Sequence, residues 1–209
     1  MCTAKLGLCL IAVSLMACTE SETLGKVKHL DASVDEDAST PALRYWVGTV
    51  EDSDIRLGVA QEPERARVFF CGGPSSYATA TRWVVTTLAA DGGFEFEDEG
   101  WRVSGELSDD AIAGTLRLGE GESRDFSASP VRKGTIAGLY EGTAECGRVG
   151  LIVSQADKRE EPSGQGACVG TGHPPEQVNP ILPIALSGGE IRVEIGGSES
   201  SVRPAGPPP

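Results

Sequence analysis

The sequence predicts an all-β fold, an antiparallel meander of short strands closing into a small β-barrel, with a β-sandwich as the alternative. Three observations predict it. Apolar and polar residues alternate with period two in several runs, which places one set of side chains on a buried face and the other in water. Turn chemistry separates the runs at Asp91-Gly92-Gly93, Asp98-Glu99-Gly100, Ser108-Asp109-Asp110 and Gly119-Glu120-Gly121. Beyond the first eighteen residues, no stretch carries a helical period of useful length. The connections are too short for Greek-key crossovers, which puts the barrel ahead of the sandwich.

In chain order, the first element is residues 1–17. Lys5 supplies a positive start, Leu6 to Met16 is an apolar run broken only by Gly7 and Ser14, and the small Ala17 precedes Cys18. The run falls well short of the roughly 20 apolar residues that a membrane-spanning helix needs, and it has the layout of a cleaved export signal. Leu15-Met16-Ala17-Cys18 resembles the lipobox of bacterial lipoproteins. That resemblance implies cleavage before Cys18, acyl chains on Cys18, and a mature protein anchored by lipid in a bacterial cell envelope, at the outer membrane if the cell is Gram-negative. An ordinary secretory signal with a chance cysteine is the alternative. Cys9 is the poorer lipidation site, because the bulky Leu8 stands where a small residue belongs.

Residues 18–43 read as a lipidated cysteine followed by a spacer. Glu20, Glu22, Asp31, Asp35, Glu36 and Asp37 crowd a segment with few apolar residues and no aromatic before Leu43, so the expectation is a flexible, self-repelling linker. The whole chain carries a net charge of −13, and loss of Lys5 with the signal makes it −14. Such a surface argues against nucleic acid as a partner and disfavours anionic lipid. At the other end, Gly196-Gly197-Ser198-Glu199-Ser200-Ser201 and a proline-rich finish predict a disordered tail over 196–209.

Between these ends, residues 44–195 suffice for one barrel-like domain. Trp101, Val103, Gly105 and Leu107 alternate with Arg102, Ser104 and Glu106; Ile112, Gly114, Leu116 and Leu118 alternate with Ala113, Thr115 and Arg117; Ile191, Val193 and Ile195 alternate with Arg192 and Glu194. An internal echo adds to this pattern. Gly48-Thr49-Val50-Glu51, followed by Ile55, Leu57, Val59 and Gln61, aligns without a gap on Gly142-Thr143-Ala144-Glu145, followed by Val149, Leu151, Val153 and Gln155. Either one hairpin type is used twice, or two β-hairpins are alike by chance.

Three cysteines, Cys71, Cys146 and Cys168, remain for an exported domain where disulfides form, and an odd number allows one internal bridge at most. Cys146 and Cys168 flank the polar turn 156–164 and suit a cross-strand staple. The rival pairing is Cys71 with Cys146, which requires the two echoed hairpins to lie side by side. Cys71 follows Val68-Phe69-Phe70 and also reads as a buried core thiol. Three scattered cysteines make a poor metal site, and no cofactor is expected.

The search for catalytic chemistry finds little. His173 is the one histidine of the domain and reads as an exposed loop residue; no serine stands in a Gly-x-Ser-x-Gly elbow. Glu95, Glu97, Asp98 and Glu99 could flank a sugar ring, yet alternation puts Glu95 and Glu97 opposite Phe94 and Phe96, as on a solvated strand face. Glu51, Asp52 and Asp54 lack the spacing of a calcium loop. Phe70-Cys71-Gly72-Gly73 and Gly138-Leu139-Tyr140 resemble segments of exported bacterial β-proteins, a likeness that implies no activity.

The function expected is therefore that of a non-catalytic binding or structural module at the envelope, bound to the membrane through Cys18 and facing an envelope protein or glycan. A barrel binding a small ligand, lined by Trp83, Phe94, Phe96 and Trp101, is the first alternative. A carboxylate-dependent glycoside hydrolase is the second.

Overall fold

The computed structural model describes residues 43–206. The expectations for the signal, for lipidation at Cys18 and for the spacer up to residue 42 lie outside the described residues. Those residues are all-β and antiparallel throughout, as alternation and turn chemistry predict.

Eight strands come first: β1 (Arg44–Val50), β2 (Arg56–Gln61), β3 (Arg65–Cys71), β4 (Arg82–Thr87), β5 (Gly93–Asp98), β6 (Trp101–Leu107), β7 (Ile112–Leu118) and β8 (Arg124–Pro130). Each pairs with its sequence neighbour except β4 with β5, and β8 returns to β1, so the sheet is a meander closed on itself but for one seam. Side chains span that seam. Thr86 Oγ1 donates to the Glu95 carbonyl at 2.9 Å. Arg82 pairs with the Asp98 carboxylate and lies over the rings of Phe96 and Trp101. The interior is filled by Trp46, Phe70, Phe94, Trp101, Val103, Ile112 and Phe126 among others, with the Phe70 ring 5.8 Å from Phe126 and 5.9 Å from Trp101. A small barrel fills itself in this way because its radius leaves room for little beyond its own inward side chains.

Six more strands follow: β9 (Gly138–Ala144), β10 (Gly147–Ser154), β11 (Ser163–Val169), β12 (Glu176–Pro180), β13 (Ile191–Ile195) and β14 (Ser198–Pro204). They form a second, fully closed barrel around Tyr140, Leu151, Val153, Val178, Ile191, Val193 and Val202. Two expectations are corrected here. One barrel over 44–195 becomes two, and the tail expected to be disordered contains β14, which closes the second barrel by pairing Pro204 with Tyr140 and Arg203 with Glu141. Linker-like composition hid β14 because only Val202 points into the core. The hairpin signal was nonetheless present: Gly196 and Gly197 take positive φ of 57° and 82° in a two-residue turn, with Ile195 opposite Ser198.

The echoed segments occupy equivalent places. The first copy is β1–β2 and the second β9–β10, each opening its barrel. Their matched glycines serve the same purpose, letting the closing strand come near. A Cβ on Gly48 would lie 1.8 Å from the Ser127 carbonyl of β8, and one on Gly142 would lie 2.9 Å from the Ser201 carbonyl of β14. The barrels pack through these same strands. A third core, with Ala60, Phe69, Cys71, Leu139, Ile152 and Ala167, lies between them. Gly58 receives Ile152, the residue that the gapless alignment matches to it, with 3.2 Å left for a Cβ. Contact between equivalent positions is what packing about an approximate two-fold produces.

Candidate binding site

With both interiors occupied by side chains, the concave space lies outside the barrels. One such space, largely apolar, is a cleft of about 420 Å³ where the chain crosses from β8 to β9. Residues 131–135 and Ala137 form its wall, Tyr45, Leu139 and Tyr140 its floor, and Leu43 and Leu186 add to its lining. Local hydrogen bonds fix this crossing. Val131 N–H donates to the Tyr45 carbonyl at 2.9 Å, and Ile136 N–H donates to Gln155 Oε1 at 2.9 Å. Thr135 Oγ1 bonds back to the Arg132 carbonyl at 2.9 Å and closes a turn, in which Gly134 takes a φ of 81°. A side chain on Gly134 would collide with Lys158, whose Cε would lie 2.2 Å from its Cβ.

The floor tyrosines are committed donors. Tyr45 Oη gives its proton to the Ala205 carbonyl at 2.7 Å, and Tyr140 Oη gives its own to the Ile136 carbonyl at 2.8 Å. Burial, then the charges of Glu141 and Arg67 acting in opposite directions, leaves Tyr45 above its ordinary range, and burial pushes Tyr140 up to about 12. Protonated and engaged as donors, neither is poised to act as a base near neutrality.

Its charge is unusual for this chain. Three cations, Arg44, Arg132 and Lys133, line the cleft and no carboxylate does, in a protein of net charge −13. Arg44 is engaged with Asp109 through its side chain and, at 2.9 Å, its carbonyl. Among the described residues Arg132 and Lys133 enter no ion pair.

The residues singled out from sequence fall as follows. Cys146 and Cys168 form a disulfide with Cα atoms 6.0 Å apart, tying the β9–β10 turn to β11, and Cys71 is a buried free thiol. The four aromatics do not line one cavity. Phe94, Phe96 and Trp101 belong to the core of the first barrel. Trp83 points the other way, because Val84 takes the inward position on β4; it stacks on Phe69 with centroids 4.6 Å apart and carries the Arg148 guanidinium at 3.7 Å. Glu95 and Glu97 are exposed, and Glu97 pairs with Arg102. Asp54 accepts from Ser75 N–H at 2.6 Å and from the Ser76 hydroxyl, and these hydrogen bonds hold its carboxyl below the usual range. His173 Nδ1 lies 3.1 Å from the adjacent Pro174 carbonyl in an exposed loop. Among the described residues no group of three histidine, cysteine or acidic side chains is placed to hold a metal ion.

Sequence reasoning missed the cleft itself. Leu43, residues 131–137 and Leu186 are far apart in the chain and share no periodicity. The one available signal was Arg132-Lys133, an adjacent pair of cations that, unlike Lys158-Arg159, has no carboxylate next to it in sequence, between two predicted strands. No family model, curated protein or solved structure matches this chain.

Proposed function

We propose that this protein is an envelope lipoprotein, anchored through acyl chains on Cys18 and acting as a non-catalytic binding or structural module. The observation that carries the reading is the signal with Leu15-Met16-Ala17-Cys18 at its end. Two or three acyl chains give a stable anchor, since each buried methylene contributes about 0.8 kcal/mol. The disulfide between Cys146 and Cys168 supports export, because such bonds persist on the oxidising side of a membrane.

The non-catalytic part is supported by where the reactive groups lie. The carboxylates Glu95 and Glu97 sit on an exposed strand face and His173 is occupied by its neighbour's carbonyl. Packed barrel interiors favour recognition by an outer surface over capture of a small ligand inside. The test is metabolic labelling with palmitate of cells expressing the full chain or its Cys18→Ser variant. Label in the parent, lost from the variant together with membrane association, is the expected result; label retained by the variant refutes the anchor.

A further inference from the structure

We infer that the cleft between the barrels is the face this protein lays on the membrane, with anionic phospholipid headgroups at Arg132 and Lys133 and the side chains of Leu182 and Leu186 in the interfacial layer. The inference rests on the anchored reading above and adds a partner for one surface.

Three observations converge on this face. The described chain begins at Leu43, on the wall of the cleft, so a tether running back to Cys18 leaves from here. The 24 residues from Thr19 to Ala42 reach at most roughly 80–90 Å even fully extended, which keeps the body close to its bilayer. Second, the exposed apolar side chains gather on one neighbouring loop. Of the three large hydrophobics exposed among the described residues, two, Leu182 at 71% and Leu186 at 43%, stand on the loop 181–190 between β12 and β13, and Leu186 lines the cleft. Ile184, between them, is buried in the second barrel and pins the loop. The two leucines face solvent on a loop that is otherwise anchored, as expected where a surface meets an apolar partner.

Third, the charge of the cleft opposes that of the molecule. Arg132 and Lys133 have no carboxylate beside them in the lining, and Lys158 lies against Gly134 to add a third cation. Acidic groups elsewhere on the body are screened beyond roughly 8–10 Å at ordinary ionic strength, whereas these cations would touch the headgroups. The contact would be weak for a free protein of this net charge. Tethering makes it intramolecular, at an effective concentration on the order of millimolar for a short linker, so a weak contact is populated.

Hydrogen exchange read by mass spectrometry tests this. A chain beginning at Cys18 is coupled through that thiol to maleimide lipid in vesicles of phosphatidylcholine with 30% phosphatidylglycerol (an assay setting on the order of typical anionic membranes); Cys71 is buried and the other two cysteines are bridged. Segments 131–137 and 182–189 should exchange at least about threefold more slowly than in the uncoupled protein, with the Glu95 face unchanged. Leu182→Asp with Leu186→Asp, and separately Arg132→Glu with Lys133→Glu, should each abolish the slowing while coupling remains complete. Unchanged exchange in both segments, equal slowing of the Glu95 face, or full slowing on pure phosphatidylcholine would each overturn the proposal. Slowing produced by added envelope protein but not by vesicles would overturn it in favour of a protein partner. Chemical coupling bypasses lipidation in the cell, so a failure of palmitate labelling removes the anchored reading without altering this measurement.

Discussion

Glu141 of β9 meets Arg67 of β3 across the two barrels at 2.9 Å, and each side chain keeps only 17% of its surface. The pair is the centre of a network. Arg148 reaches the other Glu141 oxygen at 2.6 Å, Arg67 also pairs with Glu62 at 2.6 Å, and Gly206 N–H donates to Glu141 at 3.2 Å. One carboxylate thus joins the first barrel, the second barrel and the segment after β14.

Removing that carboxylate should loosen the joint. Glu141→Ala leaves Arg67 mostly buried with Glu62 as its one carboxylate and the Gly206 carbonyl at 2.9 Å, and leaves Arg148 over Trp83 without its anion. Breaking a fully buried pair costs roughly 3–5 kcal/mol; partial exposure and the remaining partner bring the expected loss to about 2 kcal/mol. Urea denaturation of parent and variant measures it. A midpoint unchanged by the substitution would mean that the network contributes nothing net to the barrel interface.

The bridge between Cys146 and Cys168 spans 22 residues of sequence. Closing a loop of that length restricts the unfolded chain by about 3 kcal/mol. The bonded sulfurs pack against a core of Tyr140 and aliphatic side chains that remains without them, so the double variant Cys146→Ser, Cys168→Ser should still fold. Its midpoint of thermal unfolding should drop by roughly 5–10 °C, and reductant should lower the parent's midpoint by a similar amount without affecting the variant. Equal sensitivity of both proteins to reductant would place the effect elsewhere.

Much of this architecture can be read from alternation. The runs around Trp101, Ile112 and Ile191 coincide with β6, β7 and β13, each with one face inward and one in water. The second barrel was harder to see, for a physical reason. Val68-Phe69-Phe70-Cys71 on β3 and Val149 to Val153 on β10 do not alternate, because Val68 and Phe70 fill one barrel while Phe69 and Cys71 face the other. A strand buried on both faces reads as a continuous apolar run. These two runs, one on β3 and one on β10, were the trace of a barrel-to-barrel interface, and a single-barrel reading has no place for them. The cleft left no comparable trace, since Leu43, Arg132 and Leu186 meet only after both barrels have closed.

Burial also sets an alkaline limit on stability. The Cys71 thiol is pushed from 9.0 up to about 12 by burial, against hydrogen bonds from Gln165 and Thr81 and the charge of Arg56, which act the other way. Burial likewise lifts Tyr140 from 10.0 to about 12. Both groups hold their protons longer in the folded chain than in the unfolded one, so their contribution is complete below pH 9 and is lost as pH rises toward 12. Between pH 9 and 10 the loss comes from Cys71, at a limiting slope of about 1.4 kcal/mol per pH unit, and Tyr140 joins above pH 10 together with Tyr45 and Tyr77, which burial also raises. Urea denaturation from pH 7 to 11 should therefore show a plateau and then a fall, and in Cys71→Ala the fall should begin about one unit later. The same burial predicts that a thiol reagent at pH 8 leaves Cys71 untouched until urea unfolds the chain. Rapid modification of the native protein, or a parent and variant with superimposable pH profiles, would show that the thiol is not held in its protonated form by the interface between the barrels.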